Sequence, residues 1–199
     1  MNRRVRAAIL VFALASACDD GDGGPAPARD EQAGSGLASA PLRAPEIPDG
    51  LEPAPEGTGP IGSIREVLPP RRRFPNLPPL PEELREAFRH GYRRAFASPE
   101  VNLSSTVVRL ADSTAASAFL AYLRELPVGG NAATAVEVPA TGLGEEGYGW
   151  HLEVPGSESS GFTWRTGDLV ATITMSGPIG EAGPDAALPL AERVDGRLG

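Results

Sequence analysis

Lysine is absent from this chain, so all 18 of its Lys/Arg-type cations are arginines. There is a single cysteine, Cys18, which excludes any disulfide within the chain. Two histidines, His90 and His151, are a thin supply for metal chemistry, which needs several converging ligands. No G-x-S-x-G elbow is present, which removes the strand-turn-helix presentation of a hydrolase serine. Long apolar runs are missing too. The run before Cys18 covers eleven residues, 7–17, and a spanning helix needs about twenty. Heavy use of Ala, Gly and Pro beside all-arginine cations points to a high-GC genome, which concerns ancestry and not function.

What is present is ordered sharply at the N-terminus. Arg3, Arg4 and Arg6 precede the apolar run, small residues follow, and Cys18 comes directly after Ala17. A basic head, a short apolar stretch and a small-residue cleavage site describe an export signal. Ala15-Ser16-Ala17-Cys18 resembles the lipobox of bacterial lipoproteins, with Ala15 where that family most often has Leu. The resemblance implies a cut before Cys18, acylation of its thiol, and attachment to a membrane on the extracytoplasmic side. Ala15-x-Ala17 also satisfies an ordinary secretory cleavage site, so free secretion is the alternative. An unpaired exposed thiol is an odd choice for an oxidising compartment, which favours the lipid anchor.

Residues 18–81 are rich in Pro, Gly, Ala and acids, with isolated apolar residues and no sustained period. Such a composition buries too little surface to offset its ordering entropy, and predicts a disordered, extended spacer. Treated as a flexible chain, it would reach on the order of 40 Å. Charge follows the same division. Residues 19–70 carry ten acids against three arginines, and removal of residues 1–17 takes the chain from −8 to −11. That balance argues against nucleic acid as a partner. The exception is Arg71-Arg72-Arg73, read as a solvated run at a domain edge.

Residues 82–199 suffice for one domain. Pro81-Glu82-Glu83 reads as a helix start, and Leu84, Phe88, Tyr92 and Phe96 recur at helical spacing up to Ser98-Pro99. Residues 101–110 predict a strand. Asp112 caps a second helix over 115–126, with Ala118, Phe119, Tyr122, Leu123 and Leu126 on one face and Pro127 and Gly129-Gly130 behind it. Strands are predicted at 135–138, 149–154, 161–165 and 169–176, the last two joined across Thr166-Gly167-Asp168. A final helix starts near Pro184-Asp185 or Pro189 and carries Leu190, Val194 and Leu198. The order predicts an α+β domain with a mainly antiparallel sheet of about four to five strands and about three helices.

Few residues promise chemistry. Gly142-Leu-Gly144-Glu-Glu-Gly147 matches the dinucleotide pattern in letters, but it leads into a strand and its acids would repel phosphate, so it reads as a turn. His151 and Glu153 share a strand face opposite Trp150, Leu152 and Val154, either as half a metal site or, more simply, as a solvent-facing polar pair. Carboxylates for glycoside hydrolysis are available in Glu145, Glu146, Glu153 and Glu158, but a small domain lacks room for the deep cleft that chemistry uses. No catalytic, cofactor-binding or metal-ligating residue is assigned and no cofactor is expected. His151, Glu153 and Arg165 are the candidates to face a ligand.

The segments 88–96, 107–112 with 115–126, 142–147 and 165–177 together look like small lipoprotein domains of high-GC bacteria. More remotely they are similar to the extracellular sensor domains of mycobacterial serine/threonine kinases, which repeat the order strand, alanine-bearing helix, Gly-x-Gly-acid turn and Arg-x-Gly hairpin. The resemblance implies a fold and carries over no functional residue. The expectation is a membrane-held, non-catalytic binding or accessory domain of the cell envelope, taking an envelope protein or a small ligand as partner. An envelope hydrolase acting through His151 and Glu153 or a loop serine is the alternative, and a purely structural lipoprotein is a third.

Overall fold

A computed structural model describes residues 36–69, 74, 77–126 and 135–199. The export signal, Cys18, Arg71-Arg72-Arg73, Pro127 and Gly129-Gly130 lie outside the described residues. Within them runs one antiparallel sheet of eight strands: β1 (Glu52–Pro53), β2 (Gly59–Ile61), β3 (Phe88–Ala97), β4 (Asn102–Leu110), β5 (Val136–Val138), β6 (Glu146–Val154), β7 (Ser157–Thr166) and β8 (Leu169–Gly177). Three α-helices accompany it: α1 (Glu82–Ala87), α2 (Ser113–Arg124) and α3 (Pro184–Asp195). The order across the sheet is β1-β3-β4-β8-β7-β6-β5, with β2 beside β1 on the same edge of β3. The α+β class and antiparallel pairing agree with expectation; the sheet is larger than the four to five strands expected.

Alternation along the strands builds two cores. Leu103, Val107, Phe162, Trp164, Ala171, Ile173 and Met175 face α3, where Leu190, Ala191 and Val194 close over them. Val108, Leu110 and Val170 face the other way, onto Phe119 and Ala116 of α2 and Leu84 of α1. Neighbours such as Val107 and Val108 are therefore both buried, as strands covered on two sides require.

The second helix, β4 and the β7–β8 hairpin form as the sequence predicts. Asp112 accepts a hydrogen bond from the Ala115 amide at 2.9 Å and so caps α2. The buried stripe of α2 is Ala116, Phe119, Leu120 and Tyr122, with Leu126 beyond its end, whereas Ala118 is exposed. Gly167 adopts φ 59 in the two-residue turn between Thr166 and Leu169, a conformation an L side chain resists. The final helix begins at Pro184 and contains Pro189.

Two expectations are corrected. The helix expected through Phe96 stops at Ala87, and Phe88–Ala97 is strand β3, paired along its length with β4. A spacing of four fits both periods: residues 88, 92 and 96 share a helix face but also share parity in a strand. The aromatic content favours the strand once a partner edge exists. The second correction concerns the spacer, since residues 36–69 are packed into the fold. Leu42 is 0 % exposed, Ile64 2 % and Ile61 3 %, and β1 and β2 cover the outer edge of β3. Proline limits this segment to short 3-10 turns and short strands, and it tolerates an edge strand, where a missing N–H costs little.

Candidate functional site

Two polar clusters occupy opposite faces of the β6–β7 ribbon. The first is set by register, since His151 stands opposite Ser160 and Glu153 opposite Glu158. Directly opposed side chains in an antiparallel pair lie within contact distance. His151 Nδ1 lies 2.9 Å from Ser160 Oγ, and His151 Nε2 lies 3.1 Å from Glu153 Oε1. Glu158 Oε2 is 3.9 Å from the same Nε2. Its other oxygen, Oε1, accepts hydrogen bonds from the amides of Gly180 at 2.9 Å and Ala182 at 2.8 Å, in the segment that leads into α3. Burial grades across the cluster: Glu158 is 6 % exposed, His151 18 % and Glu153 64 %. His151, Glu153 and Glu158 each bring a metal-ligating atom into this one spot.

The members of a serine–histidine–carboxylate relay are thus in contact, but not in working order. Ser160 is 0 % exposed, and a nucleophile must be reached by its substrate. The ring is also reversed relative to such a relay, with the serine on Nδ1 and the carboxylate on Nε2.

The second cluster surrounds Arg165, whose side chain is 9 % exposed. Its guanidinium bonds Glu145 Oε2 at 2.7 Å, Glu146 Oε1 at 2.9 Å and the Gly167 carbonyl at 3.1 Å. Glu145 also accepts from the Gly167 amide, and Glu146 from the Ser117 hydroxyl of α2. The Gly167 amide chiefly, then Arg165, holds the Glu145 carboxyl below its ordinary range; Ser117 and then Arg165 do the same for Glu146. The turn at 142–147 is built for this closure: Gly144 has φ 53, and a Cβ there would lie 2.3 Å from the Arg165 carbonyl. Its glycines therefore serve a tight turn against β7, as the sequence reading has it. On the same face, burial pushes the Tyr148 hydroxyl up to about 12, with Arg124 5.7 Å over its ring, so it is a poor proton donor.

His151 and Glu153 are together, as their spacing predicts, while Arg165 lies on the other face and joins no common site with them. Sequence reasoning missed Glu158 and Ser160 as their partners, because both were assigned to a loop that is in fact β7. His90, half-buried on β3, is distant in the sheet order; burial and then Arg109 lower its pKa. A separate concavity of about 490 Å³ lies between α1, α2 and the preceding segment, lined by Leu68, Pro78, Leu80, Tyr122, Arg65 and Arg85.

No family model matches the chain, and no curated protein matches it. Among solved structures, the extracellular domain of PknH from Mycobacterium tuberculosis is similar, at 11 % identity and a TM-score of 0.50, over 82 % of this chain and 96 % of that one. At that identity the likeness establishes the fold alone. The expected similarity to such extracellular domains therefore holds as a statement of architecture.

Proposed function

We propose that this chain is a non-catalytic binding or accessory domain held on the extracytoplasmic side of a bacterial membrane through a lipid on Cys18. The observation that carries the reading is the position of Cys18 itself, directly behind a basic head, an eleven-residue apolar run and Ala15-Ser16-Ala17. The fold it shares with an extracellular domain supports the same side of the membrane. Among the described residues no helix is long and apolar enough to cross a membrane, so the lipid supplies the attachment in this reading. A single acyl chain binds a bilayer only marginally, whereas two or more hold firmly, and lipid attachment at Cys18 would need that stronger form.

Binding is favoured over serine-type hydrolysis by the burial of Ser160, which removes that hydroxyl as a nucleophile beside His151. The net charge of the mature chain leaves nucleic acid an unfavourable partner and an envelope protein or small ligand the better one.

Cells grown with a clickable fatty-acid analogue test the anchor. The wild-type chain is expected to carry the label and to sediment with membranes. Cys18→Ala is expected to lose the label and appear in the soluble fraction. Equal labelling of the two would end the lipoprotein reading.

A further inference from the structure

We propose that His151, Glu153 and Glu158 form a binding site for a divalent transition-metal ion of the zinc class. The proposal goes beyond the envelope reading and does not depend on the lipid anchor.

Charge provides the first argument. Glu153 and Glu158 stand directly opposite each other on β6 and β7, and like charges so placed are destabilising. His151 Nε2 lies near both carboxylates, 3.1 Å from Glu153 and 3.9 Å from Glu158. A cation bound between the two carboxylates resolves that repulsion.

Geometry provides the second. The three donor atoms lie within 4.8 Å of one another. Ligand atoms at about 2.1 Å from zinc are separated by about 3.4 Å in a tetrahedron and about 3.0 Å for neighbours in an octahedron. The observed separations, 3.1 Å from Nε2 to Glu153 and 3.9 Å from Nε2 to Glu158, lie on either side of the tetrahedral value. Glu153, largely exposed, is the member free to move toward the other two.

The third argument is that both inner ligands are already oriented by other groups. Ser160 Oγ lies 2.9 Å from His151 Nδ1, so that in the tautomer that binds a metal through Nε2 the Nδ1–H has its acceptor in place. Glu158 spends Oε1 on the Gly180 and Ala182 amides, while Oε2 lies 3.9 Å from Nε2. One oxygen of this buried carboxylate is thus fixed by two amides, which holds the other near the imidazole. Glu153 is largely exposed and leaves an entry path.

The donor set selects the ion. Calcium and magnesium prefer all-oxygen shells, whereas an imidazole nitrogen with two carboxylates suits zinc and its neighbours. Three protein ligands leave at least one position for water or an anionic group. Once bound, the ion would tie the β6–β7 ribbon to the segment preceding α3.

The test uses the full chain after chelator treatment, titrated with zinc chloride and followed by calorimetry and thermal melting. Expected are one equivalent of zinc, a raised Tm, and no comparable shift with calcium or magnesium at equal concentration. Glu153→Gln, at an exposed position, is expected to fold normally and weaken binding at least about tenfold, and Ser160→Ala to weaken it by about 10- to 100-fold. His151→Ala is expected to abolish it, while Cys18→Ser leaves it intact. Glu158→Gln is not relied on, because that carboxylate also holds the Gly180 segment in place. Absence of any zinc-induced shift in the wild type overturns the proposal. So does binding that survives the Glu153→Gln, His151→Ala double change, that disappears in Cys18→Ser, or that is stronger for calcium than for zinc.

Discussion

At the scale of single residues, buried charge decides what is structural and what is available. Arg165 pairs its two terminal guanidinium nitrogens with two carboxylates and a carbonyl, and removal of the carboxylates would leave an uncompensated charge at low exposure. Glu145 and Glu146 both titrate below the ordinary glutamate value in the folded chain. Their contribution is therefore present above about pH 4.3, the unfolded value, and is lost as pH falls through the depressed range. The Glu145→Gln, Glu146→Gln double variant is expected to melt lower than wild type at neutral pH. Its Tm should also fall less steeply below about pH 4.3, where wild type loses this contribution. Equal pH slopes for the two proteins would show that the cluster contributes nothing to acid sensitivity. The sequence nominated Arg165 together with His151 and Glu153. Strand parity, which puts Arg165 on the opposite face from them, required the pairing of Glu146 with Arg165 and of His151 with Ser160.

At the scale of elements, the segment 36–69 separates local composition from tertiary context. Its apolar residues are sparse, but Leu37, Leu42, Ile61 and Ile64 each fall on a core position. Hydrogen bonds fix it from several elements: the Leu42 amide donates to Ser105 Oγ of β4 at 3.1 Å, Arg94 of β3 donates to the Ala38 carbonyl at 2.8 Å, and Arg197 donates to the Ala40 carbonyl at 3.1 Å. Arg197 also pairs with Glu46. Leu42→Ala is expected to cost about 2–5 kcal/mol, the range for a fully buried leucine, measured as a shift in denaturant midpoint. A chain begun at residue 82 is expected to lose cooperative unfolding, because Leu103 and Phe96 would lose part of their cover. A variant or truncated chain as stable as wild type would return residues 36–69 to the role of a spacer. Helix α2 was legible because its signals are local, a capping Asp112 and a 3.6-residue stripe; β3 was not, because its aromatic spacing fits two periods and only β4 decides between them.

At the scale of the whole molecule, a sheet buried on both faces has its least protected backbone at its edges. Hydrogen exchange is expected to be slowest in β4, β7 and β8, which are paired on both sides, and fastest in the short strands β1, β2 and β5. Exchange in β5 as slow as in β8 would contradict this order of stability. The ion site lies near the β5 edge, where β6 is less deeply enclosed, which is why polar ligands are tolerated there at all. By itself the sequence determined the α+β class, the hairpin across Gly167-Asp168 and the pairing of His151 with Glu153, because each of these depends on residues close together in the chain. Tertiary structure alone decided that Phe88–Ala97 is strand, that residues 36–69 belong to the fold, and that Glu158 and Ser160 complete the cluster around His151. Those outcomes rest on which strand lies beside which, and a register between distant segments is set by the burial of both faces together.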